Sequence, residues 1–273
     1  MIVCRRQSRS YGEQMDENNR QVFMARFAGV PTRVTCSCPS TAEHCRDYFI
    51  TSVSPAAGLP APRISVDITG GDIEEMRRLN LRVEEAEGRT HVEFSYGHME
   101  ILALHKAVSD RLPAFDRVLF HCSAIEVGGR AVAFTAPSGT GKSTHSRLWK
   151  QVYGDEVSYI NDDKPFIGID GGELYVFGSP WMGKHSLGRP CRVPLAAIGL
   201  IVRDETNYVT RMAPGEVFLT IMRQIHRPAD IEMMRRTTQI MKRIAETVPV
   251  HEIHCTMDPE AAQVSRAAIL GDV

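Results

Sequence analysis

The sequence lacks both a long apolar run and a strong net charge. Its longest apolar stretch, residues 195–202, is far shorter than the roughly 20 residues that a membrane-spanning helix needs. The 33 acidic and 32 basic side chains nearly cancel, which argues against a broad nucleic-acid-binding surface but leaves room for a local basic cleft. We therefore expect neither a membrane nor a nucleic acid as a partner.

An even set of cysteines and a secretory signal are also missing. The seven cysteines are odd in number and scattered, and Arg5, Arg6 and Arg9 interrupt the N-terminus before an apolar run develops. Both features are typical of a cytoplasmic protein with reduced thiols. The 43% of hydrophobic and 24% of charged residues are ordinary values for a globular chain.

Two domains are expected for 273 residues, at about 150 residues per domain. Side chains that recur every three or four residues predict an amphipathic helix before Pro113. Pro113 ends this helix, and we place the domain boundary there. We predict a smaller α+β domain over residues 1–112, with residues 1–20 partly mobile, and a catalytic domain over residues 113–273. The positions on the helix face are Ile101, Leu104, His105, Val108 and Leu112.

The element pattern differs between the two halves. The first half predicts a hairpin over residues 21–35, helices over 42–49 and 73–79, and strands over 63–69 and 92–96. From residue 115 onward strands alternate with helices, which is typical of an α/β layered fold. The last predicted elements are helices over residues 214–225, 231–247 and 259–270, with a strand over residues 248–256.

The most informative segment is AVAFTAPSGTGKST, residues 131–144, in which an apolar strand precedes a glycine-rich loop and a helical pattern. This is the context of a phosphate-binding P-loop, whose N–H groups surround phosphate oxygens at the positive end of a helix. Ala136 stands where the first glycine is usual, and the alternative is an ordinary glycine-rich turn. The predicted nucleotide-binding residues are Ser138, Gly139, Thr140, Gly141, Lys142, Ser143 and Thr144, with Lys142 on the β- and γ-phosphates of ATP and Ser143 on Mg²⁺.

Two carboxylates follow at the end of the next apolar strand. Asp162 and Asp163 end the segment VSYINDD, about a dozen helical residues after the loop. A strand–helix–strand unit of this size can bring both strand ends to one edge of a sheet, so the pair is expected to face the phosphates. One carboxylate can hold Mg²⁺ while the other accepts a proton from an attacking hydroxyl. The alternative is a solvated turn at the end of a strand.

His121 is placed near the loop by hairpin arithmetic. If Gly128 and Gly129 form a two-residue turn, Ser123 lies opposite Phe134 and His121 lies opposite Ala136. The imidazole would then lie at the mouth of the loop, where it could orient an acidic residue or contact a phosphoryl group. The alternative is a histidine with a structural role.

These motifs resemble those of the HPr kinase/phosphorylase and phosphoenolpyruvate carboxykinase superfamily. In that group a loop of the form x-x-S-G-x-G-K-S/T is followed closely by an Asp-Asp pair, and in HPr kinases a histidine precedes the loop. The resemblance implies a P-loop kinase core of this type, and the specific motifs that carry it lie within residues 120–165. The matching residues are His121 in the active site, Lys142 on phosphate, Ser143 on Mg²⁺, Asp162 as the catalytic base and Asp163 near the metal.

A looser similarity extends through GSPWMGK, residues 178–184, to QIHRP, residues 224–228. As a whole the chain is similar to small bacterial HPr-kinase-like proteins, and because HPr kinases are hexameric, the resemblance implies a possible homo-oligomer. In the first of these segments Lys184 could bring a cation toward the transferred phosphoryl group. Arg189 and Arg192 are alternatives, Arg227 is a weaker one, and Lys184 is equally explained as a surface lysine.

Other clusters are set aside. Cys36, Cys38, His44 and Cys45 lack the second cysteine pair of a structural zinc site, so we favour loop cysteines. The sequence thus predicts an ATP- and Mg²⁺-dependent kinase that phosphorylates a hydroxyl, on a protein or peptide serine or on a small metabolite. The alternatives are a nucleotide-binding regulatory protein without phosphotransfer and an enzyme that also catalyses the reverse, phosphorylase reaction.

Overall fold

The structure is a computed structural model that describes residues 20–50, 59–86, 88, 90–137 and 139–271. Within these residues it is a mixed α/β fold with one three-stranded and one nine-stranded sheet. The strands are β1 (Gln21–Phe27), β2 (Val30–Cys36), β3 (Ile64–Asp67), β4 (Arg117–Leu119), β5 (Ser123–Val127), β6 (Arg130–Thr135), β7 (Val157–Asn161), β8 (Phe166–Asp170), β9 (Glu173–Phe177), β10 (Arg192–Arg203), β11 (Tyr208–Arg211) and β12 (Val250–Cys255). The helices are α1 (Pro39–His44), α2 (Gly70–Ala86), α3 (Tyr96–Arg111), α4 (Lys142–Tyr153), α5 (Pro214–Gln224), α6 (Ile231–Thr247) and α7 (Glu260–Leu270).

The small sheet is built on the predicted hairpin, which the structure confirms. β1 and β2 pair antiparallel around Ala28 and Gly29, whose φ angles of 48° and 83° suit a tight two-residue turn. β3 adds to β2 in parallel. Residues in β2 alternate between buried and more exposed, so one face of this sheet packs against the apolar side of α3.

The large sheet has the order β4-β8-β9-β10-β6-β5-β7, and β12 pairs with both β10 and β11. β10 runs parallel to β6 and to β12, so the carboxyl ends of these three strands lie at one edge. β5 is antiparallel to both β6 and β7, and these two strands therefore also point the same way. The unit from β6 through α4 to β7 thus returns both strand ends to that edge, as the strand–helix–strand argument predicts.

The predicted hairpin register is also confirmed. Ser123 pairs with Phe134, and Val127 pairs with Arg130 across Gly128 and Gly129. Both glycines have positive φ angles, 56° and 73°, which side-chain-bearing residues rarely adopt. The turn chemistry therefore sets which residues of β5 and β6 face each other.

Helices cover both faces of the large sheet. On one face α5 and α6 pack on residues such as Ala133 and Ile198. On the other face α4 and α7 pack on residues such as Phe134 and Ile253. Consecutive β6 residues point to opposite faces, because side chains alternate along a strand. Burial on both sides makes β6 a rigid base for the loop that follows it.

The core of the N-terminal part continues into the large sheet. Phe27 and Leu104 belong to the same buried cluster as Phe166, Phe177 and Trp181. The division of the chain at residues 112 and 113 stays a prediction. No helix in the described part of the chain is both long and apolar enough to cross a membrane.

Two predicted elements differ from the structure. The strand predicted over residues 92–96 is wrong, because residues 90–95 pair with no strand and Ser95 instead caps α3 by accepting the backbone N–H of His98. The helix predicted over residues 42–49 begins earlier, at Pro39, and gives way to a 3₁₀ turn over Arg46–Tyr48. Most of the loop predicted over residues 54–62, and the predicted mobile arm apart from Arg20, lie outside the described residues.

Candidate functional site

The glycine loop, residues 136–141, connects β6 to α4 at the shared edge of the sheet. Gly139 and Gly141 have φ angles of 76° and 130°, in the region that favours glycine. A Cβ atom at Gly139 would meet no neighbour, so backbone conformation rather than space requires glycine there. Ser138, one of the predicted nucleotide-binding residues, lies outside the described residues.

Lys142 begins α4 and folds back beneath the glycine loop. The residue is only 7% exposed, and its Nζ atom donates to the carbonyl oxygen of Ala136 at 3.3 Å. Burial lowers the pKa of Lys142, while the negative charge of Asp163 acts in the opposite direction. The site therefore holds a cation under the loop, with a carboxylate near enough to stabilise its charge.

Ser143 and Thr144 lie in the first turn of α4, as predicted. The Ser143 carbonyl accepts the Nε–H of Arg147 at 3.1 Å, and the same guanidinium lies 3.4 Å from the Thr144 hydroxyl. The N-terminal N–H groups of a helix have no partners within the helix and attract anions. The glycine loop and this turn together place backbone N–H donors and the ammonium group of Lys142 close to one another.

His121 and Asp163 form a pair next to this point. The Nε2 atom of His121 lies 3.1 Å from Oδ1 of Asp163, and Lys164 makes an ion pair with the other carboxylate oxygen. Burial alone would raise the pKa of Asp163, but the hydrogen bond from His121 and the charge of Lys164 hold it well below its usual range. Asp163 is therefore ionised at neutral pH, close to the predicted phosphate site.

Asp162 takes a different position from its neighbour. It is only 3% exposed, and its Oδ1 atom accepts the backbone N–H of Gly183 at 2.6 Å. A Cβ atom at Gly183 would lie 3.1 Å from Oδ2 of Asp162, so the turn packs directly on the carboxylate. Lys184 follows in this turn with an exposed side chain. The structure thus places Asp162 next to the turn that carries Lys184, and this turn covers the Asp162 carboxylate.

Asn161 holds the acidic turn in place, which the sequence analysis missed. Its Oδ1 atom accepts the backbone N–H groups of Asp163 at 2.8 Å and of Lys164 at 2.7 Å. Its Nδ2 atom donates to the carbonyl oxygen of Ser179 at 3.0 Å, and the Ser179 hydroxyl donates to the carbonyl oxygen of Lys164 at 2.6 Å. An asparagine at the end of a strand, before a turn, is the signal that could have identified it.

Arg203 and a cavity beside the glycine loop were also missed. The Arg203 guanidinium, at the carboxyl end of β10, donates to the carbonyl oxygens of Thr140, at 3.0 Å, and of Gly139. The cavity has a volume of about 590 Å³. Its lining includes Gly141, Leu148, Ile201, Arg203, Thr256 and Met257. Only the pairing of β6, β10 and β12 brings these distant residues together.

Two of the three alternative cations have structural partners. Arg189 makes an ion pair with Glu126, and Arg192 lies 2.7 Å from Asp170. Arg227 is exposed. Within the described ranges, no group of three or more His, Cys, Asp or Glu side chains is arranged to hold a metal ion. For a bound Mg²⁺, the Ser143 hydroxyl at the start of α4 and the ionised Asp163 are the oxygen donors that fit the ion's chemistry.

Comparisons with known proteins place the chain in no family. No family model matches it, and no curated protein matches it. Among solved structures it is similar to the Hpr(Ser) kinase/phosphatase from Coxiella burnetii, with 11% sequence identity and a TM-score of 0.30. That similarity covers 56% of this chain and 90% of the other. A likeness this weak identifies neither a family nor an activity.

Proposed function

We propose that this protein is an ATP- and Mg²⁺-dependent kinase that transfers the γ-phosphoryl group to a hydroxyl acceptor. The observation that carries the proposal is the buried Lys142 under the glycine loop, near the ionised Asp163, which His121 contacts. A cation, free helix N–H groups and an oriented carboxylate at one point are what phosphoryl transfer requires, because the reaction depends on positioning and charge neutralisation.

The loop and α4 supply the phosphate contacts in this proposal. Gly139, Thr140 and Gly141 turn their backbone toward the triphosphate, with Ser138 and Thr144 as the flanking predicted contacts. Lys142 exchanges its bond to the Ala136 carbonyl for the β- and γ-phosphates. Bound Mg²⁺ would neutralise charge on the phosphates, and Ser143 and Asp163 would hold it. Arg203 keeps the carbonyl oxygens of the loop directed away from the anion.

Asp162 is the proposed proton acceptor for the attacking hydroxyl. Its carboxylate is covered by Gly183, so the turn at residues 183–186 has to move before an acceptor reaches it. Lys184, carried by that turn, would then approach the transferred phosphoryl group. His121 is a positioning residue that orients Asp163. Acceptors with a serine hydroxyl and small hydroxyl metabolites both remain in the proposal.

The cavity beside the loop is the proposed site of the nucleoside. It adjoins Gly139, Thr140 and Gly141 and is lined on its other side by Ile201 and Met257. Its volume of about 590 Å³ lies within the range of small-molecule sites, and most of its lining is apolar enough for a base.

A second candidate is a nucleotide-binding regulatory protein without phosphotransfer. The coverage of Asp162 by the Gly183 N–H favours it, because a closed turn leaves the carboxylate without access to an acceptor. Both candidates require nucleotide binding, so binding by itself does not separate them.

The test compares nucleotide binding and turnover in matched variants. The unaltered protein should melt at a higher temperature with Mg²⁺-ATP, and Lys142→Met, which keeps the aliphatic stem but removes the charge, should abolish the shift. Asp162→Asn should retain the shift but lose phosphoryl transfer in a screen of peptides and metabolites. Asp163→Asn should mainly raise the Mg²⁺ concentration that is needed.

The outcomes separate the candidates. No shift in the unaltered protein would refute both functions. If the unaltered protein and Asp162→Asn both showed the increase in melting temperature but no phosphoryl transfer to any acceptor, the regulatory function would be favoured. Exchange of the two carboxylate phenotypes would assign the base to Asp163 instead.

A further inference from the structure

A second cavity, with a polar lining, lies far along the sheet from the glycine loop, where the β1–β2 turn meets the β8–β9 turn. It is lined by Gly29 on the first turn and by Gly171 on the second. Its volume of about 650 Å³ is within the range of sites for small metabolites. Three arginines and two aspartates line it: Arg63, Arg117, Arg192, Asp116 and Asp170.

Each of the three arginines is stacked on an aromatic ring. A ring covers the face of a guanidinium and leaves the N–H groups at its edge for hydrogen bonds, so stacking orients the donors. The distances from the guanidinium carbon to the ring centroid are 4.6 Å for Arg63 over Phe115, 4.8 Å for Arg117 over Phe177 and 3.9 Å for Arg192 over Tyr175.

Arg117 is the buried member of the three, with 8% exposure. Its stem lies against Gly168, where a Cβ atom would come within 2.0 Å of Cδ. Its guanidinium donates to the carbonyl oxygens of Ala28 at 3.1 Å, of Asp116 at 3.2 Å and of Ile169. These acceptors are all carbonyl groups. A buried positive charge that no carboxylate contacts is costly unless another anion balances it.

The carboxylates around the cavity are concentrated at Arg192. Asp170 is held by Arg192 at 2.7 Å, and the Asp116 side chain is exposed. Glu173 also acts electrostatically on Arg192. Arg63, which is exposed and stacked on Phe115, has no carboxylate within ion-pair distance in the described part of the chain.

We propose that this cavity binds a small oxyanion, the carboxylate or phosphate group of a metabolite. The forked donors of a guanidinium match both groups in a bidentate manner. Arg63 is the arginine whose fork is engaged by no group in the described part of the chain, while Arg117 adds a buried positive charge. The cavity is larger than a single anion, so it also accommodates the body of the compound. The inference is independent of the proposed kinase activity, since no residue of the glycine loop takes part.

The experiment uses isothermal titration of the full chain in a Lys142→Met background, so that the glycine loop does not bind the probe. Inorganic phosphate and citrate are titrated separately at constant ionic strength. At least one should give saturable binding, and the tighter of the two identifies the group. Arg63→Ala should weaken that binding about tenfold, as expected for a lost charged hydrogen bond. Arg82→Ala changes the charge equally at an exposed position on α2 and should have no effect.

A second variant keeps the inference testable without disturbing Arg117, whose replacement would also release three carbonyl groups. Asp170→Asn removes the carboxylate that occupies Arg192 and should tighten binding several-fold. A purely structural role for Asp170 would not produce tighter binding. Absence of saturable binding for both anions, equal affinity in Arg63→Ala, or weaker binding in Asp170→Asn would each overturn the inference.

Discussion

Replacement of Asn161 by alanine should destabilise the protein and loosen the acidic turn at the same time. Asn161 is fully buried, and its Oδ1 atom is the acceptor for the backbone N–H groups of Asp163 and Lys164. In Asn161→Ala both donors lose this acceptor, and Ser179 loses the donor to its carbonyl oxygen. The carbonyl oxygen of Trp181 also loses a longer contact, at 3.4 Å, so the change removes one side chain but affects four backbone groups.

The expected cost follows from these groups. A buried donor left without an acceptor costs about 1–3 kcal/mol, and the turn is only partly buried, so the lower part of that range applies to each N–H. Two donors give a total of about 3 kcal/mol. For a chain of this size, that corresponds to a decrease of about 6–12 °C in Tm.

Urea unfolding followed by tryptophan fluorescence measures the change, because one of the two tryptophans, Trp181, belongs to the segment that Asn161 contacts. Asn80→Ala is the matched control: Asn80 makes one side-chain bond, to Glu84, on α2, where alanine is a better helix former. We expect a loss below about 1 kcal/mol for the control. If Asn161→Ala cost no more than Asn80→Ala, the argument that this side chain holds the turn would be wrong.

Three further predictions concern the loop, the cavity and the response to acid. Arg203→Ala should weaken binding of Mg²⁺-ATP about tenfold, because it frees two carbonyl oxygens of the loop. The control is Arg211→Ala, which removes an exposed arginine and should leave binding unchanged; equal ATP titration curves for the two variants would contradict the prediction. Met257→Ala should weaken binding of ATP but not of inorganic tripolyphosphate, with the exposed Ile231→Ala as control, and an equal effect on both ligands would place the nucleoside elsewhere. Burial lowers the pKa of His145 from 6.5 to about 4, so the unfolded chain binds a proton that the folded chain does not, and the free energy of unfolding should decrease as pH falls from 6.5 towards 4. Urea midpoints at pH 7 and pH 5 check this, and His145→Gln should show a smaller difference; identical midpoints in the unaltered protein would refute it.

Local patterns were sufficient to predict much of the element order. The hairpin at Gly128 and Gly129 required only turn chemistry, and its register placed His121 beside the loop. The helix over residues 231–247 was predicted with its observed bounds, and the structure shows that a local feature, the Asp230 side chain that accepts the Met233 N–H, caps its start. The strand predicted over residues 92–96 failed, since a β-favouring segment forms no strand without a partner to pair with.

The sequence by itself determined the chemistry that is available: a glycine loop with Lys142, two carboxylates at a strand end, and a histidine brought near by a short turn. The tertiary structure alone decided how these groups are used, because strand order and long-range packing are set by contacts between distant residues. The pairing of β10 with β6 placed Arg203 on the loop. The turn at Gly183 packed on Asp162 and left Asp163 to His121, a difference between adjacent aspartates that depends on distant segments.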